Sequence, residues 1–306
     1  MSVLTLGETM ALFDPGVDGP PTLGMPYVLR VAGAESNFAI GLARLGVATR
    51  WISRVGDDPM GRLITETLAA EGVDVGFVMT EPGAGTGAFL KVRVGGRTAV
   101  QYFRRGSAAA HLAVGDVPDP AFAGVRVVHL TGITLALSDG ARELVIDVAR
   151  RARDRGLIVT FDPNYRPALW ADPAGARRAQ ELLLPWVDWY FSGEEETRTL
   201  WGPGDAAVLD ARIRSAGAKG TVIRLGERGA LVAGAIVPPP DVVTVRDEIG
   251  AGDAFAAGFV FGLLKGLPPV DCAWNGHVLA ARAIQGTGDW ETLPRLSDIA
   301  GLLRVG

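Results

Sequence analysis

Short apolar runs alternate along the chain with stretches in which apolar positions recur every three or four residues. The strand candidates are Val3–Leu6, Thr49–Ile52, Val125–Leu130, Leu157–Phe161, Trp189–Phe191 and Thr221–Leu225, rich in β-branched and aromatic residues. The helix candidates are Asn37–Leu45, Gly61–Glu71, Gly140–Arg155, Ala174–Leu184, Glu194–Trp201, Asp205–Ser215, Gly252–Lys265 and Ala273–Ile284. Strand–helix alternation predicts an α/β protein with a mostly parallel sheet covered on both faces. Ligands of such sheets sit at the carboxyl ends of the strands. The polar punctuation falls there: Gly7-Glu8, Gly56-Asp57-Asp58, Thr131-Gly132, Asp162-Pro163-Asn164 and Gly226-Glu227.

Two segments break this rhythm. Residues 11–31 are rich in Pro and Gly, with short extended pieces. Residues 86–104 alternate in the manner of strands on either side of Gly95-Gly96, which reads as a hairpin. Together they predict a small sheet over the site. There is no internal repeat, low-complexity tract or linker, so residues 1–306 read as one domain with 11–31 and 86–104 as its lid. In an extended strand residues two apart share a face. Tyr102 and Arg104 therefore point the same way, toward the site or toward solvent.

Composition narrows the function classes. A net charge of −4, with acids and bases interspersed, gives no basic face for nucleic acid. Cys272 is the single cysteine, so no internal disulfide forms, and a small packing role in a reducing compartment is expected. Met1-Ser2-Val3-Leu4 runs directly into a strand without a basic leader. No apolar run reaches the length of a membrane span. A soluble, cytoplasmic protein is expected. His111, His129 and His277 lack metal-site spacing and read as structural.

The most specific chemistry lies in Gly250-Ala251-Gly252-Asp253-Ala254-Phe255. It follows the strand-like Val242-Val243-Thr244-Val245 and opens an apolar helix. Small residues let backbone approach a ligand, and the free N–H groups of a helix start suit a phosphate. A carboxylate in that turn would repel a resting anion, so Asp253 suits a reacting hydroxyl beside the phosphate. Gly-rich helix start and acid together point to phosphoryl transfer. Gly7-Glu8-Thr9-Met10 after the first strand lacks the G-x-G-x-x-G of nicotinamide oxidoreductases.

Three ordered segments carry a resemblance. Ala32-Gly33-Ala34-Glu35-Ser36-Asn37 through Gly46 resembles the substrate loop and following helix of the ribokinase-like (PfkB) carbohydrate kinases. Arg54-Val55-Gly56-Asp57-Asp58-Pro59-Met60-Gly61 resembles a recurrent turn of that family, and Asp247 through Phe255 its second signature. Within the family, Tyr102 through Ala108, His129 through Ser138 and Asp162 through Trp170 are most similar to the 2-keto-3-deoxygluconate kinases. The resemblance spans nearly the whole chain. It implies a ribokinase-like three-layer α/β/α sandwich with a small β lid, and an ATP-dependent kinase acting on a small-molecule sugar acid with Mg²⁺. An intact Asp253 speaks against a non-catalytic sugar- or nucleotide-binding regulator on this fold, and fructokinase or nucleoside kinase activity is the alternative within the family.

Residue by residue, the resemblance implies Asp253 as general base and the Gly250, Ala251 and Gly252 turn as anion hole, the N–H groups of Ala251, Gly252 and Asp253 meeting the transferred phosphoryl. Gly33, Ala34 and Asn37 meet sugar hydroxyls. Phe89 is either a lid aromatic on the sugar or lid core. Arg104 offers a planar fork for a carboxylate, and Arg166 reaches either that acid or the ATP phosphates. Asp289 meets the far end of the substrate. Asn164, Ser192, Arg224, Gly226, Gly229 and Asn275 fall on the nucleotide side. Glu196 aligns with the family's Glu that organises hydrated Mg²⁺. Gly193 stands where the family has Asn, with Ser192 as a substitute, and Glu248 stands where small or hydroxyl residues are usual. The family's lids pair between subunits, which implies a homodimer.

Overall fold

The computed structural model describes residues 2–95, 97–240 and 244–305. Its strands are β1 (Val3–Leu6), β2 (Met10–Pro15), β3 (Tyr27–Ala32), β4 (Thr49–Ile52), β5 (Arg54–Gly56), β6 (Met79–Glu81), β7 (Ala88–Val94), β8 (Arg97–Phe103), β9 (Val127–Thr131), β10 (Ile158–Asp162), β11 (Trp189–Gly193), β12 (Gly220–Arg224), β13 (Ala230–Val232) and β14 (Ala235–Val237). Its helices are α1 (Ala34–Arg44), α2 (Pro59–Ala70), α3 (Gly132–Leu137), α4 (Asp139–Asp154), α5 (Pro173–Glu181), α6 (Glu194–Trp201), α7 (Ala206–Ser215), α8 (Ala251–Leu264), α9 (Pro269–Ala283) and α10 (Leu296–Ile299).

The main sheet has the order β14-β13-β12-β11-β10-β9-β1-β4. The six strands from β12 to β4 are parallel, and β13–β14 is an antiparallel hairpin at the far edge. Strand alternation sorts the core into two layers. Leu4, Leu6, Val128, Leu130, Val159, Phe161, Tyr190 and Ile223 pack on one face against α4, α5, α6 and α7. Val3, Val127, Phe191 and Val222 face the other way, against α1, α8 and α9. The result is the expected three-layer ribokinase-like α/β/α sandwich. None of the helices is long and apolar enough to cross a membrane, among the described residues.

A second sheet, β3-β2-β7-β8, is built from the two segments that broke the rhythm. β2 pairs antiparallel with β3 and parallel with β7, and β7 and β8 form the expected hairpin, Phe89 lying opposite Tyr102. Gly96 of its turn lies outside the described residues.

Several boundaries move for local reasons. Helix α1 starts at Ala34, three positions earlier than the periodicity suggests, because Gly33 is its N-cap. Helices α2 and α9 each open on a proline, which fits a first helical position. Asp58 caps α2 by accepting from Gly61 N at 2.8 Å. The hairpin β13–β14 and the short α3 carried no strong period and were not expected. Of the strand expected at Val242–Val245, Val242 and Val243 lie outside the described residues. Thr244 and Val245 have irregular backbone rather than a strand.

Candidate active site

The segments that follow β1, β9 and β10 at their carboxyl ends converge under the smaller sheet, where a cavity of about 230 Å³ opens. Helix α8 delivers Asp253 to its floor. The turn before it demands glycine: Gly250 has φ +79°, and a Cβ there would sit 2.1 Å from the Asp289 carbonyl oxygen. No side chain caps α8. First-turn N–H groups have no intrahelical partner, which leaves those of Gly252 and Asp253 for a ligand. The Ala251 N–H is different, since it donates to the Glu248 carbonyl at 3.3 Å. Of the three N–H groups expected to meet a phosphoryl group, those of Gly252 and Asp253 are thus the two without a backbone partner among the described residues.

Two asparagines fix the Asp253 carboxylate. Asn37 Nδ2 donates to Oδ2 at 2.9 Å and Asn164 Nδ2 to Oδ1 at 3.3 Å. Burial pushes the Asp253 carboxyl up to about 8, against the opposing Asn37 hydrogen bond and with help from the negative charge of Asp162. A carboxyl tuned to this range is suited to proton transfer near neutral pH. Asn164 was expected on the nucleotide side; its left-handed backbone (φ +39°) instead turns its amide onto Asp253.

The substrate-side expectations largely converge. Gly33, Ala34, Asn37, Phe89, Tyr102, Arg104, Arg166 and Asp289 all line the cavity. Gly33 is needed for close approach, because a Cβ would sit 2.5 Å from the Glu8 carbonyl oxygen. The open orientation of Tyr102 and Arg104 resolves inward. Phe89 and Tyr102 pack at 5.6 Å between ring centroids, so Phe89 is both lid core and cavity wall. The Arg104 side chain is buried, lies over the Tyr102 ring at 5.6 Å and pairs with Glu8. Its Nε has no hydrogen-bond partner among the described residues. Arg166 is exposed at the rim and forms no salt bridge among the described residues.

Two residues without an expected role complete this wall. Glu8, also buried, accepts from Ser107 Oγ at 2.5 Å as well as pairing with Arg104. Lys91, 1% exposed, donates to Asp289 Oδ1 at 2.9 Å. Burial raises the Asp289 carboxyl, opposed by that lysine. The alternation that pairs Tyr102 with Arg104 also pairs Phe89 with Lys91, a signal that could have found it.

The nucleotide-side expectations fare less evenly. Arg224, at the end of β12, pairs with Asp162 at 3.0 Å beneath the Gly252 backbone. Gly226 and Gly229 hold the turn that follows, at φ +62° and +98°. Ser192 is a correction: it is fully buried, and its hydroxyl is bound to Thr197 at 2.7 Å. Asn275 is another. Its amide clamps the C-terminal segment, donating to Arg304 O at 2.9 Å and accepting from Arg304 N at 2.8 Å. Glu196 accepts from Tyr165 N at 2.5 Å and Gly193 N at 3.2 Å. Burial and neighbouring Asp162 hold its carboxyl above the usual range. No group of three or more His, Cys, Asp or Glu is arranged for a metal ion, among the described residues. His129 and His277 are buried, and burial draws each down to about 4, in keeping with structural roles.

The pfkB family carbohydrate kinase profile matches residues 1–296. A 2-dehydro-3-deoxygluconokinase of Thermoproteus tenax is 37% identical over 100% of this chain and 95% of its own. A 2-dehydro-3-deoxygluconokinase of Bacillus subtilis (strain 168) is 35% identical over 99% of this chain and 95% of its own. The crystal structure of a PfkB protein from Polaromonas sp. JS666 superposes with a TM-score of 0.89 at 36% identity, covering 98% of this chain and 99% of that one.

Proposed function

The chain belongs to the pfkB family of carbohydrate kinases and is an ATP-dependent sugar kinase, and we propose that its substrate is the sugar acid 2-keto-3-deoxygluconate, phosphorylated on the C6 hydroxyl. The observation that carries the acid is Arg104. A buried, inward guanidinium with an unpartnered Nε offers a charged fork to a carboxylate, whereas a neutral sugar would leave that donor unmet. Arg166 at the rim supplies a second cation. The two relatives named above act, by name, on this substrate; the C6 position follows from the family resemblance.

Asn37 and Asn164 orient Asp253, which takes the proton of the attacking hydroxyl as its oxygen bonds to the γ-phosphorus of ATP. The bond to the β–γ bridging oxygen breaks, and ADP leaves. The Gly252 and Asp253 N–H groups receive the charge on the transferred phosphoryl. Mg²⁺ neutralises the β- and γ-phosphates when bound. Asp162 and Glu196 share the cation of Arg224, and Glu196 would hold the ion through water. The sheet of 11–31 and 86–104 acts as lid of a single 1–306 domain, excluding water from the transfer. Its exposed Val28, Leu29 and Phe103 support a homodimer through the lids; sedimentation as a monomer at micromolar concentration would count against that.

The test is ATP consumption with Mg²⁺ on 2-keto-3-deoxygluconate, its galacto epimer, fructose, ribose and adenosine, with Asp253→Asn alongside. Turnover confined to the keto-acids and lost in the variant supports the reading. Turnover of a neutral sugar overturns Arg104 as a carboxylate clamp.

A further inference from the structure

The lid face of the cavity is a row set by the β7–β8 register. Arg104 lies just past the Ala88–Phe103 pair, Phe89 faces Tyr102, and Lys91 faces Val100. Lys91 and Arg104 thus lie about 13 Å apart along the strands, four residue steps at ~3.3 Å each, with two aromatic rings between them. Each cation has one buried acid partner: Glu8 for Arg104 and Asp289 for Lys91. An ammonium carries three donors, and among the described residues Lys91 Nζ makes one hydrogen bond, to Asp289 at 2.9 Å. The side chain nevertheless lines the cavity. Asp289 is itself fixed to the catalytic turn, its carbonyl packed against Gly250.

We propose that Lys91 is a specificity-determining residue of the sugar site: Asp289 holds its ammonium at the end of the cavity remote from Arg104, where it donates to an oxygen of the bound sugar. A buried lysine is an awkward way to brace a lid, since an apolar pair of similar volume is often as stable. A place in the lining of a ligand cavity gives it a use. Arg104 then receives the acid end and Lys91 the hydroxyl end, and the spacing of the two selects substrate length.

The substrate class in this proposal rests on the sugar-acid reading; the role of Lys91 is tested on whichever panel sugar the wild type turns over. The experiment compares wild type, Lys91→Met, Lys91→Arg and the double variant Lys91→Met/Asp289→Asn, with KM and kcat measured for sugar and for ATP. Thermal unfolding monitors the fold. Losing one charge-assisted hydrogen bond should raise the sugar KM of Lys91→Met about 10- to 100-fold with ATP KM unchanged. Lys91→Arg should recover part of that loss. The double variant leaves no unpaired buried charge, so its sugar KM should stay raised. Wild-type KM in the double variant would overturn the proposal, because Lys91 would then act only by neutralising Asp289. An unchanged sugar KM in Lys91→Met, or equal rises in sugar and ATP KM, would overturn it too. Absence of wild-type turnover on the keto-acids alone would instead sink the sugar-acid reading.

Discussion

Replacing Asp253 by Asn removes the proton acceptor and its charge while keeping its shape, and turnover and stability should respond in opposite directions. Loss of a positioned base lowers kcat by about 10²–10⁴, or ~3–5 kcal/mol of barrier. Stability follows from linkage. Burial raises the folded-state carboxyl from 3.8 to about 8, so the folded protein keeps a proton that the unfolded chain releases. The stabilisation this proton gives is complete below pH ~4 and is lost progressively as pH rises to about 8. Asparagine carries no such dependence. An unrelieved shift of this size would be worth roughly 6 kcal/mol, at ~1.4 kcal/mol per tenfold change in ionisation. The carboxylate is only partly buried and faces an open cleft, so solvent screening reduces this to about 2 kcal/mol. The fold should tolerate the change. The introduced amide oxygen can still accept from Asn37, and the introduced N–H can meet the buried, unpartnered Oδ1 of Asn164 once that amide turns over. Thermal unfolding at pH 5 and pH 8.5 without ligands, beside steady-state turnover, is the assay. The variant's melting temperature should gain about 2–4 °C on wild type between the two pH values. Wild-type kcat/KM should fall about tenfold per pH step below 8. A pH-independent stability difference would refute the burial argument, and turnover within tenfold of wild type would place the base elsewhere.

Three further substitutions test other parts of the site. Arg104→Leu should raise the sugar-acid KM about 10- to 100-fold while leaving ATP KM unchanged; equal rises in both would show a general collapse of the cavity. Gly250→Ala forces a left-handed backbone and a Cβ 2.1 Å from the Asp289 carbonyl, so the urea midpoint should reveal a loss of about 2–4 kcal/mol, and an unchanged midpoint would refute the strain. Asn275→Ala removes both hydrogen bonds to Arg304 and should cost about 1–3 kcal/mol in unfolding free energy with ATP KM unaffected; a raised ATP KM would return Asn275 to the nucleotide side.

The layered sheet was legible because each strand carries two apolar faces, and α4 separates buried Leu144, Val145 and Val148 from charged neighbours in a plain helical period. Chain segments without such a period were harder. Helix α3 follows β9 with only the cap supplied by Thr131, whose hydroxyl accepts from Ile133 N and Thr134 N. On the lid, alternation established that Tyr102 and Arg104 share a face but not which face. That depends on where Glu8 sits, 96 positions away, and on Ser107 fixing Glu8. Lys91 was hidden in the same way, since a lysine in a strand reads as solvated until an acid 198 positions distant is found beside it.

The nucleotide side shows a different limit. A buried polar group must find a partner, and position in a motif does not say which. Gly193 illustrates the consequence. Without a side chain there, α6 has no side-chain cap, and Glu196 reaches back to the Gly193 N–H. Thr197 bonds the Gly193 carbonyl at 2.6 Å and also engages the Ser192 hydroxyl. The Ser192 hydroxyl is thereby engaged within the fold, and Glu196 is held in a fixed direction by the backbone N–H groups of Tyr165 and Gly193. This fixes Glu196 beside Asp162, with Arg224 as the one cation paired with either acid among the described residues. A cation arriving with the ATP phosphates would meet the two acids of that group at the carboxyl end of the sheet.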